Sequence, residues 1–111
     1  MLGKFIAISI GLCVFQSCII NNPKPESCQI QEITIKNIQE GSSFDINFTS
    51  TTGEKYYINR GLEQGLTLNN LKNIGLNSNA TLHLPKFALG GVSNHIAQLV
   101  INDSIIYTEF D

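Results

Sequence analysis

The feature that most constrains the fold of this sequence is a period-two alternation of apolar and polar residues. Its clearest instance is Phe44, Ile46 and Phe48, which are separated by single polar residues. Because successive side chains of a β-strand point to opposite faces of a sheet, this spacing predicts a half-buried strand with one apolar and one wet face. The alternation recurs over most of the chain beyond Cys28, so we expect a mainly β fold.

The remaining strands follow from the same pattern. They are predicted at Ile30 to Ile35, Lys55 to Asn59, Ala80 to Leu84, Ala97 to Ile101 and Ser104 to Phe110. In the first of these strands Ile30 is out of phase with Ile33 and Ile35, which predicts a β-bulge near Gln31 or Glu32. Turns are predicted at Gly41-Ser42, Ser50 to Gly53 and Asn102-Asp103.

One short helix is predicted where the apolar spacing changes to three-residue steps, at Leu68, Leu71 and Ile74. Thr67 is placed to cap its N-terminus, and Gly75 stands where a left-handed residue would end it. The helix therefore separates the third predicted strand from the fourth.

The order strand, strand, strand, helix, strand, strand, with an extra terminal strand, resembles the element order of the OB fold. The resemblance implies a small antiparallel barrel with one short helix between strands 3 and 4. The alternative is an antiparallel sheet or sandwich packed on one helix. Both belong to the mainly β, β-rich α+β class.

Composition narrows the classes of partner and chemistry. The 111 residues include 7 Lys and Arg and 9 Asp and Glu, a formal charge of −2, so the chain lacks the basic footprint of a nucleic-acid-binding protein. The 3 cysteines form no CxxC pair, and no metal site or cofactor is expected. No nucleotide-binding or hydrolase fingerprint is present, so an enzyme is not expected.

The N-terminus carries the pattern of an export signal. Met1 to Lys4 provide a positive start, and the apolar run from Phe5 to Phe15 has the length of a signal-peptide core. A membrane-spanning helix would need about 20 apolar residues. We therefore predict a signal peptide and not a retained membrane helix.

Phe15-Gln16-Ser17-Cys18 resembles the lipobox of bacterial lipoproteins. The resemblance implies that residues 1–17 are removed as a signal peptide and that Cys18 carries diacylglycerol. A third acyl chain such as palmitate usually follows on the new N-terminus. Two or three chains give lasting membrane anchoring. The implied location is the bacterial cell envelope, on either face of the inner or outer membrane.

Residues 18–27 are then predicted to be a tether, and residues 28–111 a single small domain. Pro23 and Pro25 favour an extended polyproline conformation, which would carry the domain up to roughly 30 Å from the bilayer. With Cys13 removed and Cys18 acylated, only Cys28 remains. We expect no internal disulfide and a buried Cys28 thiol, with an intermolecular bridge as the alternative.

The candidate ligand-binding residues are Tyr57, Arg60, Asn94 and His95. Tyr57 adjoins Tyr56, so the pleat turns one of the two rings outward. Arg60 is the only arginine, and it is expected to pair with Glu63 or, alternatively, to bind a ligand. Asn94 and His95 end the glycine-containing segment 86–95, which is predicted to be a flexible loop that tolerates change without loss of folding.

The leading functional hypothesis is a non-enzymatic envelope lipoprotein that binds or supports a partner, such as an envelope protein or a saccharide. One alternative is an OB-like module for a saccharide or peptide. Another is a small hydrolase that uses His95, whereas His83 is expected to be a solvent-facing sheet histidine. The segments Tyr57 to Leu66 and Ser93 to Ile96 also resemble stretches of bacterial envelope proteins with no assigned activity.

Overall fold

The computed structural model describes residues 23–111. The predicted signal peptide and Cys18 lie outside these residues, so their predictions are not tested by the fold. No helix within residues 23–111 is long and apolar enough to cross a lipid bilayer.

The described chain is mainly β, as predicted. Its strands are β1 (Cys28–Glu40), β2 (Ile46–Ser50), β3 (Lys55–Ile58), β4 (Asn79–Pro85), β5 (Gln98–Ile101) and β6 (Ser104–Thr108). All six pair antiparallel in one sheet with the order β3-β2-β1-β4-β5-β6. One α-helix, α1 (Leu68–Gly75), lies between β3 and β4. The β-rich α+β class is therefore confirmed.

The long first strand belongs to two ladders. Its first part, Cys28 to Thr34, pairs with β4, and its second part, Ile35 to Glu40, pairs with β2. The register of the second ladder shifts between Ile35 and Asn37, so Lys36 has no partner there. The sheet therefore forks along β1.

The prediction of a β-bulge near Gln31 or Glu32 is wrong. Both residues lie in an unbroken ladder with β4. The prediction failed because it treated Ile30 as a core residue, whereas its side chain is 61% exposed. The observed irregularity at Lys36 comes after Ile35 instead.

The sheet does not close into a barrel, which corrects the OB-like expectation. Its ends, β3 and β6, have no ladder between them. One parallel bridge joins Tyr57 of β3 to His95, just before β5. The Tyr57 N–H donates to the Asn94 carbonyl at 3.1 Å, and the Ile96 N–H donates to the Tyr57 carbonyl at 2.8 Å. These bonds tie β3 to that segment without extending into a ladder.

The core lies between the inner face of the sheet and α1. It contains mainly branched aliphatic residues and two tyrosines; its largest fully buried members are Phe48, Ile35, Ile38, Ile46, Ile58, Leu71, Leu82, Ile96, Leu99 and Ile101. The alternation predicted that Phe44 would extend this buried face, but Phe44 lies outside the core. It lies in a 3-10 turn with φ 68° and is 52% exposed, because the chain turns before β2 begins at Ile46.

The helix begins as predicted but ends differently. The Thr67 hydroxyl accepts from the Asn70 N–H at 3.3 Å. Gly75 is not the left-handed cap; Asn77 takes that conformation, with φ 64°. Gly75 instead allows close packing, because a Cβ there would lie 3.2 Å from Ile38 Cδ1. The helix C-terminus consequently sits directly on β1.

Two predicted flexible segments are partly ordered into the domain. Pro25–Ser27 forms a 3-10 turn instead of an extended tether end. In segment 86–95 the Ser93 side chain is buried and its N–H donates to the Pro85 carbonyl at 2.8 Å. The tip, Phe87 to Gly91, is exposed throughout.

The Phe48 side chain is expected to carry a large share of the stability of the domain. It is fully buried, so Phe48→Ala should lower the free energy of unfolding by about 3–5 kcal/mol. Leu89→Ala is the control, because Leu89 is 96% exposed and should change the stability little. Urea unfolding followed by circular dichroism measures both, and equal losses would contradict the assigned core.

Candidate functional site

A row of polar side chains crosses the outer face of the sheet. Gln39 of β1 is opposite Asn47 of β2, which is opposite Tyr57 of β3. The parallel bridge continues the row from Tyr57 to His95. The outer row therefore joins four chain segments that are far apart in sequence, and it lies on the face opposite the core.

A groove of about 200 Å³ runs along this row. It is lined by Gln39, Asn47, Thr49, Lys55, Tyr56, Tyr57 and Asn94. The lining residues carry three side-chain amides, the aliphatic hydroxyl of Thr49, the ammonium group of Lys55 and two tyrosines. Such a set can donate and accept hydrogen bonds while a ring covers an apolar face, which is the chemistry of a polar, uncharged ligand.

Asn47 is held beside Gly41, which precedes β2. A Cβ at residue 41 would approach Asn47 Nδ2 to 2.7 Å and Oδ1 to 2.8 Å. Gly41 has φ −99°, a conformation open to any residue, so glycine is needed there for space and not for backbone freedom. This close approach fixes where the Asn47 amide lies in the row.

His95 is held at the end of the row by the C-terminal segment. Its Nε2 lies 2.7 Å from Glu109 Oε2, and the Tyr107 hydroxyl donates to the same oxygen at 2.6 Å. The His95 N–H also donates to the Ser93 hydroxyl at 3.0 Å. On its other side the ring lies 5.7 Å from the Tyr57 ring, centroid to centroid. His95 therefore links the groove to β6.

Burial raises the pKa of the Tyr107 phenol well above its ordinary value, and the hydrogen bond and negative charge of Glu109 raise it further. The phenol consequently remains protonated and keeps donating to Glu109. The Glu109 carboxylate is thereby shared between the Tyr107 hydroxyl and the His95 ring.

Of the four predicted ligand-binding residues, the structure brings three together. Tyr57, Asn94 and His95 meet at the parallel bridge, whereas Arg60 is outside the groove lining. The Arg60 guanidinium pairs with Glu63 at 2.8 Å, and its backbone N–H donates to Asp45 Oδ1 at 2.8 Å. The predicted ion pair is confirmed, so Arg60 serves the loop after β3.

Sequence reasoning missed Gln39 and Asn47, because only the strand register places them beside Tyr57. It also missed a second cavity of about 450 Å³ where β1 forks, lined by Gln31, Glu32, Ile33, Thr34, Ser50, Thr51, Thr52, Glu54 and Asn79. Three of its hydroxyls are already engaged within the fold: Ser50 Oγ lies 2.9 Å from Thr52 Oγ1 and accepts from the Glu54 N–H, and the Thr34 hydroxyl donates to Asn79 Oδ1. We therefore favour the groove at Tyr57 as the candidate site.

His83 lies on the outer face of β4, as predicted, but it is half-buried and not freely exposed to solvent. Its Nδ1 is buried without a hydrogen-bond partner, and the Phe110 ring packs against it edge-on at 5.4 Å. The C-terminal residues after β6 cover this part of the outer face. His83 therefore does not line the groove, and its cross-strand partner in β5, Gln98, does not line it either.

Cys28 is a buried thiol, as predicted. Burial raises its pKa, and its Sγ donates to the Lys24 carbonyl at 3.4 Å. Within residues 23–111 no group of three His, Cys, Asp or Glu side chains is arranged to hold a metal ion.

No protein-family model matches the chain, and no curated protein or solved structure is significantly similar to it. The assignment of a function therefore depends on the geometry and chemistry of the chain's own residues.

Glu109→Gln is expected to lower the pKa of the Tyr107 phenol but to leave it above the ordinary tyrosine value, because burial is the larger cause of the shift. A phenol whose pKa is raised by folding contributes stability that is present below the unfolded pKa of about 10 and is lost as pH rises through the folded pKa. Ultraviolet difference titration measures the pKa, and Tyr107→Phe identifies the signal. An unchanged alkaline titration in Tyr107→Phe would contradict the assignment.

Proposed function

We propose that this protein is a lipid-anchored protein of the bacterial cell envelope whose β-rich domain binds a saccharide without enzymatic chemistry. The observation that carries the binding role is the groove in which Gln39, Asn47 and Asn94 present amides beside the Tyr57 ring. The observation that carries the anchor is the lipobox-like segment that ends at Cys18.

A saccharide fits this groove better than a charged ligand. Amide groups match hydroxyls as both donors and acceptors, and a tyrosine face covers the apolar face of a sugar ring. Lys55 is the one cationic side chain in the lining, which is too little charge for a nucleic-acid backbone.

The second candidate, a hydrolase, has one observation in its favour. The His95–Glu109 contact has the arrangement of a general base and its orienting carboxylate. The nearest hydroxyl in the same loop, Ser93, already accepts from the His95 backbone N–H and is buried. With Ser93 engaged in the loop, we favour binding without turnover.

Tyr57→Ala should weaken saccharide binding about five- to tenfold, because it removes a ring contact of roughly 1 kcal/mol. The measurement is isothermal titration of the purified full-length chain in detergent with a panel of peptidoglycan-derived and capsular oligosaccharides. Phe87→Ala is the matched control, since Phe87 is an exposed aromatic residue outside the groove.

Gly41→Ala tests the site without removing any of its side chains. The new methyl group must displace the Asn47 amide, while the backbone conformation at residue 41 suits alanine. We expect binding to weaken with little change in the unfolding temperature. If both groove variants bind every glycan of the panel as the wild type does, or if the wild type binds none of them, the saccharide site is wrong. Release of cleaved product by the wild type would instead favour the hydrolase.

Cys18 is expected to be acylated in the mature protein, because the lipobox-like segment directly follows the apolar run. Mass spectrometry of the mature N-terminus should find a lipid-modified Cys18. Cys18→Ser should remove that lipid-modified N-terminal species, with Cys28→Ser as a control that keeps it. An intact Met1 or an unmodified Cys18 in the wild type would overturn the anchor.

A further inference from the structure

The exposed tip of segment 86–95 carries two apolar side chains that contribute nothing to the core. Leu89 is 96% exposed and Phe87 is 47% exposed. The tip is a tight turn: the Gly90 N–H donates to the Phe87 carbonyl at 3.1 Å, and the Phe87 N–H donates to the Gly91 carbonyl at 3.0 Å. Its shape is thereby fixed, so the apolar side chains are presented on a defined support.

This tip lies where the N-terminal chain enters the domain. The Lys86 N–H donates to the Ser27 carbonyl at 3.0 Å, and the Ser27 N–H donates to the Lys24 carbonyl at 2.9 Å. Two successive hydrogen bonds through Ser27 therefore connect Lys24 to the base of the tip. Any anchor that precedes Pro23 must approach the domain from this end.

The free tether is shorter than the sequence predicted. Because Pro25–Ser27 is turned and bonded to the domain, only the stretch from Cys18 to Pro23 is left to span the distance to the bilayer. These six residues reach at most about 22 Å, compared with the roughly 30 Å expected for the whole tether. A domain held so closely must place its entry end at the membrane surface.

The charges at this end permit contact with a lipid surface. Exposed Lys24 and Lys86 flank the tip, and the acidic groups at this end are the exposed Glu26 and the mostly buried Glu109. The net charge at this end is not negative, so anionic headgroups do not repel it, whereas the whole chain carries a formal charge of −2. Apolar side chains flanked by lysines are typical of segments that lie in the headgroup region.

We propose that the tip formed by Phe87 to Gly91 inserts into the lipid surface and is a second membrane contact that orients the anchored domain. The proposal rests on the lipid anchor proposed above. With the entry end against the bilayer, the opposite end of β1 and the strand β2 that starts there point away from it. The groove is then open to ligands in the aqueous phase.

The absence of tryptophan from the chain allows a direct test with single introduced fluorophores. Phe87→Trp places one at the tip. Phe44→Trp is the matched control, because Phe44 is also an aromatic residue about half exposed but follows the far end of β1. Leu89→Trp is a second tip variant in case Phe87→Trp disturbs the turn. Circular dichroism melts verify that each variant folds.

The full-length proteins are processed in a bacterial host and reconstituted into vesicles of phosphatidylethanolamine and phosphatidylglycerol. Emission of the tip tryptophans should shift to shorter wavelength and be quenched by brominated acyl chains, whereas emission of Phe44→Trp should do neither. Co-sedimentation of the wild type with the vesicles tests the anchor separately.

Co-sedimentation with tip emission identical to that of Phe44→Trp overturns the second contact and leaves the anchor standing. Equal quenching at both ends also overturns it, because the domain would then have no fixed orientation. Failure of the wild type to co-sediment overturns the anchor and the tip proposal together.

Discussion

The backbone hydrogen bonds of β1 hold both halves of this domain together. One part of the strand pairs with β4 and the other with β2, so each of the remaining strands is attached to β1 directly or through one of these two. The helix rests on the same strand: Gly75 lies against Ile35 and Ile38 on one side and Ile101 of β5 on another. A small core is therefore gathered around one long strand, because residues 23–111 form a single sheet with one α-helix, α1, against its inner face.

The register shift at Lys36 decides which side chains reach the groove. Skipping this residue places Ile38 inward and Gln39 outward, opposite Asn47. Without the shift the side-chain alternation would continue from Ile35 and would send Ile38 to the wet face, since one residue of slip reverses every following side chain. The fork and the polar row of the candidate site thus have the same local cause.

Alternation predicted the strands well because a sheet with one wet face imposes it on the sequence. It failed at Ile30 and Phe44, where an apolar residue is exposed and the pattern carries no mark of that exposure. The local sequence predicted Tyr57 as a site residue, because the pleat must turn one of the adjacent residues Tyr56 and Tyr57 outward. Asn47, the cross-strand partner of Tyr57, and the Glu109 carboxylate that fixes His95 follow only from register and chain path, which local spacing does not contain.

His95 shows how a small domain combines stability and binding in one residue. Its ring borders Tyr57 at the groove, its backbone segment holds the edge of β3, and its Nε2 is fixed by Glu109 from the last strand's end. The position of the groove's aromatic ring consequently depends on residues that never line the groove. Because the sheet is not closed by a ladder, these few contacts are what keep β3 near β5. Any ligand that packs on Tyr57 would therefore also strengthen the contact between the two halves of the sheet, by binding the folded arrangement alone.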